Sequence, residues 1–326
     1  MGKKAVSVAK YLASAALAVV LVYLAFRKVD MDAFIAGLRQ TRWSFIALFA
    51  LASVLALVFR MLRWRALLSP IVPRPANTII WDSANVGNLT NIAIPGSGEF
   101  VRCGYASSGL KTGYDKVFGT ILMERIWDLL AIAVIFALAL GAGWSRFGEF
   151  FTQSIWTPLR SKLSLSGIIM AAAVVAVIAA SVWALMHLRG KNRLADRMAD
   201  AVTGIGRGFA SISQMQNKWL FAAYTAGIWA SYILMSWAVL KAMPDLQHLG
   251  IADAMFISAV GNIASIIPVP GGIGAYHYLV TQTLSSLYGA AWETGILFAT
   301  LNHELHAVLI ILLGVISYIN LSIRRK

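Results

Sequence analysis

The chain has 326 residues, of which 59% are hydrophobic and 13% charged, and its mean hydropathy is +0.72. A water-soluble domain carries about 25% charge, so this composition excludes most soluble enzyme folds and points to a protein embedded in a bilayer. Lysine and arginine number 28 against 14 aspartates and glutamates; lying beside apolar runs, they read as topology signals and lipid head-group contacts, not as a nucleic-acid surface.

Lys3, Lys4 and Lys10 precede an apolar run from Tyr11 to Phe26 with no small-residue cleavage site after it, which predicts a retained first helix over about residues 8–28. Further runs at Ser44 to Phe59, Ile126 to Trp144, Gly167 to Met186, Trp219 to Leu240 and Gly295 to Ile319 are long enough to cross with snorkelling ends. That makes about six full transmembrane helices. Two other segments, about 76–112 and 251–288, are apolar but broken, the first by Pro95-Gly96-Ser97-Gly98 and the second by Pro268-Val269-Pro270-Gly271-Gly272-Ile273-Gly274. The backbone groups freed by such a break find no partner in lipid, so it must be buried in protein or line a wet cavity. Both segments are therefore expected to be re-entrant helical hairpins. The distribution of lysine and arginine places both termini in the cytoplasm. The basic stretch 188–218 is expected to hold a short amphipathic helix on the inner leaflet. The fold class is all-α and polytopic, with one integral membrane domain over residues 1–326. The single cysteine, Cys103, excludes an internal disulfide framework.

The broken segments resemble each other. Val86-Gly87-Asn88-Leu89 matches Val260-Gly261-Asn262-Ile263, and each is followed by a small and polar pair, an aliphatic stretch and Pro-Gly, at Pro95-Gly96 and Pro270-Gly271. A span, a hairpin and a span thus recur, in unit one over about 42–144 and unit two over about 219–320, joined by a helix at 167–187 and the basic loop. On the predicted topology the hairpins enter from opposite faces. An inverted repeat with broken helices at corresponding positions points to a transport site at the repeat interface.

Candidate site residues cluster at these breaks. Pro95, Gly96, Ser97 and Gly98, followed by Glu99 and Arg102, leave backbone N–H groups open at a half-helix start, where the dipole favours an anion such as a lipid phosphate. Pro270, Gly271, Gly272 and Gly274 form the matching element, and Asn88 and Asn262 are the repeat-related polar residues. The alternative is that the glycines only permit close helix packing. Glu124, Arg125 and Asp128 stand within a span, where each charge costs about 2.5–3.5 kcal/mol, so the group must face a partner or a cavity; an ion pair fixing the helix near the surface is the plainer account. Arg60 and Arg63, with Trp64 one turn on, are either interfacial anchors or a basic entrance for an anionic lipid. His277, His303 and Glu304, with His306 nearby, suit zinc by type, but their spacing is not His-Glu-x-x-His. A proton-titrating or hydrogen-bonding role is expected there, with no metal and no other cofactor. The chain lacks a phosphate-cradling Gly-x-x-x-x-Gly-Lys-Ser/Thr element and a Gly-x-Ser-x-Gly elbow, so neither nucleotide hydrolysis nor serine hydrolysis is expected.

At Arg60 to Leu68, Asn91 to Arg102, Glu124 to Leu130 and Pro268 to Gly274 the sequence resembles the lysylphosphatidylglycerol synthase transmembrane-region family, also called flippase-like integral membrane proteins. The resemblance runs from about Tyr11 to Asn320. It implies a domain that moves an anionic or phosphate-containing lipid between leaflets of the bacterial cytoplasmic membrane. In the best-known member the lipid is aminoacylated phosphatidylglycerol, made by a separate soluble domain. This chain ends at Lys326 without such a domain, so synthase activity is not expected. The family pattern is kept at Glu99, Arg102, Glu124 or Arg125, and Asp128. It is departed from at Tyr276-His277, where relatives carry a glutamate, and at His303-Glu304, where they often carry an arginine. The expected ligand is a phospholipid or a polyprenyl-phosphate lipid. A homo-oligomer or a separate lipid-synthesising enzyme stays open as partner. A membrane-embedded lipid-modifying enzyme and a non-transporting membrane partner stay open as functions.

Overall fold

The structure, a computed structural model, describes residues 20, 22–27, 29–157, 160, 165–188, 193–215, 217–264, 269, 272 and 274–324. The regular elements described in full are α1 (Met31–Gln40), α2 (Trp43–Leu68), α3 (Asn77–Ala93), α4 (Gly98–Gly109), α5 (Tyr114–Ala142), α6 (Trp144–Phe151), α7 (Leu165–His187), α8 (Arg193–Gln214), α9 (Lys218–Ala242), α10 (Ile251–Ala264), α11 (Ala275–Tyr288) and α12 (Trp292–Arg324), with a π-turn at Thr152–Trp156 and a 3₁₀ turn at Pro244–Leu246. No strand occurs among the described residues. Most of the expected first helix, with Lys3, Lys4 and Lys10, lies outside the described residues, as do Pro268, Pro270, Gly271 and Ile273 of the second break.

Among the described residues, four helices are long and apolar enough to cross a bilayer, namely α2, α5, α9 and α12; the chain is a multi-pass membrane protein. All four extend beyond the apolar runs that announce them. The largest difference is at α5, which begins at Tyr114, twelve residues before Ile126. Hydropathy stops at Glu124 and Arg125, whereas the helix continues because Glu124 is met by arginines of α2 and α4 and Arg125 by Glu99 of α4. The run at Gly167 to Met186 is the 23-residue helix α7.

Each broken segment is a pair of short helices. The first breaks after Ile94, whose N–H still bonds Thr90 O at 2.8 Å. Pro95 brings no N–H, and Gly96 takes a left-handed φ of +76°, a conformation that glycine adopts at no steric cost. The chain re-enters a helix at Gly98, whose N–H donates to Asn91 Oδ1 at 2.8 Å. In the second break Gly272 and Gly274 have φ of +75° and +86°, and Gly274 caps α11.

Packing follows the small residues. Helix α2 runs along α9, where a methyl group on Gly227 would lie 2.9 Å from the Phe59 ring. Helix α3 lies against α12, with Gly314 opposite Leu89 and Asn85 Nδ2 donating to Ser317 Oγ at 3.4 Å. Helix α10 lies against α5, its Phe256 stacked between Phe136 and Phe147 at centroid distances of 5.5 and 4.4 Å. Helices α3 and α4 fold back on each other, as do α10 and α11. The basic stretch forms α8, which packs on α5: a methyl group on Gly208 would meet Gly119 Cα at 2.7 Å. This helix therefore spends one edge on the protein body and does not simply rest on a leaflet.

Two buried acids near the starts of α3 and α10 are met by arginines from the ends of the opposite long helices. Asp82 faces Arg324 at 3.5 Å. Asp253 faces Arg146, just past α5, at 2.5 Å and accepts from the Tyr288 hydroxyl at 3.0 Å.

Candidate functional site

Helical spacing explains how one wall of the site is built. Arg60, Arg63 and Trp64 share a face of α2, Glu124 and Asp128 a face of α5, and Glu99 and Arg102 a face of α4, since residues three and four apart are neighbours. The three faces meet. Arg63, wholly buried, lies 3.2 Å from Glu124 and 2.5 Å from Asp128 through Nη2. Arg102 reaches Glu124 Oε2 at 3.0 Å through Nη1 and Glu99 Oε2 at 2.6 Å through Nε. Its guanidinium lies 4.9 Å above the Trp64 ring, within cation–π range, and the Trp64 indole donates to Thr120 Oγ1 at 3.1 Å. Arg125 pairs with Glu99 and lies 3.4 Å from Asp128. Arg60 approaches Glu124 only to 3.9 Å.

Four guanidiniums thus meet three carboxylates, leaving one positive charge. Glu124 at the centre has no exposure and touches three arginines. In a low-dielectric setting such a charge persists only with partners on every side. Arg60 and Arg125 form the open edge of the lattice, with side chains 21% and 42% exposed.

Both edge arginines face a cavity of about 700 Å³. On the side of α3 to α5 its lining includes Asn88, Asn91, Pro95, Gly96, Glu99, Asp128 and the apolar Leu129 and Ile132. The facing side is built from α9 (Trp229, Tyr232, Ser236), α10 (Ser258, Asn262), the second break (Val269, Gly272), Tyr276 of α11, and Asn302, His303, His306 and Ile310 of α12. This wall is neutral and hydrogen-bonded. Asn302 Nδ2 donates to the Tyr276 hydroxyl at 2.5 Å and to Ser236 Oγ at 3.4 Å. His306 Nδ1 and Ser53 Oγ lie 2.5 Å apart. Just behind, Glu304 Oε1 lies 3.0 Å from His303 Nδ1 and 3.7 Å from His277 Nε2. One ligand atom from each of these three residues falls within 4.8 Å of the others, so this is the group suited to a metal ion.

Of the residues expected from sequence, the structure brings Arg60, Asn88, Pro95, Gly96, Glu99, Arg125, Asp128, Asn262, Gly272 and His303 to the cavity. Arg63, Arg102 and Glu124 stand behind them as buried support. His277 and Glu304 join His303. Ser97 and Gly98 do not line the cavity. The Ser97 hydroxyl bonds back to Ile94 O at 2.7 Å, and the Gly98 N–H is taken by Asn91. A methyl group on Gly98 would fall onto Gly87 O, so Gly98 serves the α3–α4 crossing. At this glycine the open N–H expected for an anion is already used. Pro270 and Gly271 lie outside the described residues.

The sequence reading missed Asn91, Trp229, Tyr232, Ser236 and Ser258. A signal existed for three of them: Trp229, Tyr232 and Ser236 fall at i, i+3 and i+7, one face of an otherwise aliphatic helix.

Long apolar helices around a cavity lined partly by charged and polar side chains define a multi-pass membrane protein. The chain belongs to the family described as lysylphosphatidylglycerol synthase TM region, which matches residues 11–314. It is also similar to the glycosyltransferase AglD of Haloferax volcanii, at 24% identity over 310 residues, covering 85% of this chain and 49% of that protein. The chain thus spans about half the length of this curated relative. No solved structure matches it significantly.

Proposed function

We propose that the protein is a flippase-like transporter that moves an anionic, phosphate-bearing lipid head group between leaflets of the cytoplasmic membrane. The observation that carries this reading is the cavity: its lining includes Pro95 and Gly96 of the first break, Val269 and Gly272 of the second, and the edge arginines Arg60 and Arg125 on one side. Guanidiniums suit phosphate because they offer several donors and keep their charge. The spare positive charge of the lattice is available to an anion. Leu129, Ile132 and Ile310 line the same space and suit the start of an acyl or prenyl tail, the rest of which stays in lipid.

The arrangement also supports the inverted repeat. Helices α2 to α5 and α9 to α12 each follow the order long, short, short, long. Exchanging the two sets preserves their main contacts: α2 on α9, α3 on α12, and α10 on α5. In this reading each short pair is a re-entrant hairpin, dipping in from opposite faces, and the head group crosses between them. The membrane lipids themselves, phospholipid or polyprenyl phosphate, are the partners, and both termini are cytoplasmic.

Leaflet exchange of head-group-labelled phosphatidylglycerol in proteoliposomes tests this. Exchange above protein-free vesicles is expected, with a fall of about 10–100-fold when Arg60→Ala and Arg125→Ala are combined, as for loss of charge-assisted hydrogen bonds. Exchange equal to wild type removes these residues from the path. A lipid-modifying enzyme is the second reading, favoured by the similarity to the Haloferax glycosyltransferase AglD and by the imidazole–carboxylate group beside the cavity. A new lipid species in the mass spectrum without exchange selects it.

A further inference from the structure

Glu304, half-buried with its side chain 35% exposed, differs from the other carboxylates between the helices. Glu99, Glu124 and Asp128 are met by arginines of the lattice, Asp82 by Arg324 and Asp253 by Arg146. Among the described residues, the ionisable partners of Glu304 are two imidazoles, His277 and His303. Two imidazoles beside one carboxylate oxygen, with no arginine or lysine among these partners, make a donor set that suits a divalent cation.

The spacing within the group, which includes the 3.0 Å hydrogen bond between His303 and Glu304, fits such an ion. His277 is 2% exposed, and its Nε2 stops 3.7 Å from Glu304 Oε1, beyond hydrogen-bond reach. Its other nitrogen, Nδ1, is buried without a hydrogen-bond partner among the described residues. Bonds of about 2.0–2.1 Å to a four-coordinate zinc ion set ligand–ligand separations of about 3.3 Å. The separations of 3.0 and 3.7 Å around Glu304 Oε1 bracket that value. All three donor atoms lie within 4.8 Å of one another, so small side-chain rotations complete the set.

We propose that His277, His303 and Glu304 form a divalent-cation site of the zinc type, with two imidazole nitrogens and one carboxylate oxygen as ligands. Three protein ligands leave a position open. His303 belongs to the cavity lining, and the Glu304 side chain is 35% exposed, so water or an anionic oxygen from the cavity reaches that position. The site stands on its own geometry and does not depend on lipid transport.

Tag-free protein in detergent, stripped with chelator and dialysed against Zn²⁺ or Co²⁺, provides the test. Wild type is expected to retain one ion per chain, and the Co²⁺ form to show the visible absorption of a four-coordinate ion. His277→Ala, His303→Ala and Glu304→Gln should each weaken binding by more than about 100-fold, past the range for losing an outer partner. His248→Ala, in an exposed loop, should bind as wild type does. Should an alanine variant fail to elute as folded protein, Glu304→Gln, which keeps the side-chain volume, decides. Failure of the wild type to bind, or undiminished binding by Glu304→Gln, overturns the site.

Discussion

The two walls of the cavity solve the problem of polar groups inside a membrane in opposite ways. The wall from α2, α4 and α5 uses permanent charge, four arginines interlocked with three carboxylates. The wall from α9 to α12 uses neutral hydrogen bonds among Asn302, Tyr276 and Ser236, and one between His306 and Ser53 of α2. A charge lattice is rigid, because removing a central member such as Glu124 strands its buried partners in low dielectric. A neutral network loses little more than one hydrogen bond when one group is removed. The first wall is therefore suited to holding an anion and the second to yielding.

The largest expected effect follows from the centre of the lattice. Glu124→Ala leaves Arg63 and Arg102 buried without their shared partner and should destabilise the protein by about 3–5 kcal/mol. Tyr276→Phe, which removes the acceptor of Asn302, should cost about 1 kcal/mol. Thermal unfolding in detergent, followed by size-exclusion chromatography, measures both. Equal losses would break the contrast between the walls.

Much of this contrast was legible in the sequence, and the legible part was the charged one. Glu124, Arg125 and Asp128 at the start of an apolar run, with Arg60 and Arg63 at the end of another, signal charges that must meet a partner or a cavity, while Arg60 and Arg63 read equally as interfacial anchors. The Pro-Gly breaks announce a protein-lined or wet interior for the same reason. What stayed hidden was pairing across helices: spacing puts Arg63 and Trp64 on one face but does not say that Arg63 meets Glu124. The neutral wall was nearly silent, since Trp229, Tyr232 and Ser236 carry no charge and occur as readily at a lipid interface or in a core. Glycine roles were mixed. Gly96 has the left-handed backbone of a turn, whereas Gly98 is a packing residue, and a run of small residues does not tell the two apart.

The Val-Gly-Asn repeat sharpens the comparison next. Gly87 and Gly261 are the motif's glycines, and each makes room for a side chain of the returning half-helix. A methyl group on Gly87 would lie 2.8 Å from both Arg102 Cβ and Gly98 O. On Gly261 it would lie 2.5 Å from the edge of the Tyr276 ring. Overpacking costs about 1–3 kcal/mol. Gly87→Ala is expected at the upper end because backbone must move, and Gly261→Ala at the lower end because a ring can tilt. The reverse order would show the neutral wall to be the stiffer one.

The acid–arginine contacts at the two ends of the bundle test the halves more gently. Arg146 is 55% exposed but touches Asp253 at 2.5 Å, so Arg146→Gln should lower stability by about 1 kcal/mol after solvent screening. Arg324, 45% exposed and 3.5 Å from Asp82, should cost about 0.5 kcal/mol or less when replaced by Gln. Raising salt should shrink the Arg324 effect further, since its guanidinium, unlike the buried Asp82, is open to solvent.

The smallest expected change in stability is at Arg60, and it separates holding an anion from holding the fold. Its guanidinium stands 3.9 Å from Glu124, which keeps Arg63 and Arg102 at 3.2 and 3.0 Å when Arg60 is gone. Arg60→Ala also turns the lattice from one spare positive charge to none. Stability should therefore stay within about 0.5 kcal/mol of wild type, the range of substitutions that strand no buried group. Retention of anionic lipid through purification should fall, while that of zwitterionic lipid stays level. A large loss of stability would mean that Arg60 is structural like Arg63. Unchanged lipid retention would mean that the spare charge faces nothing.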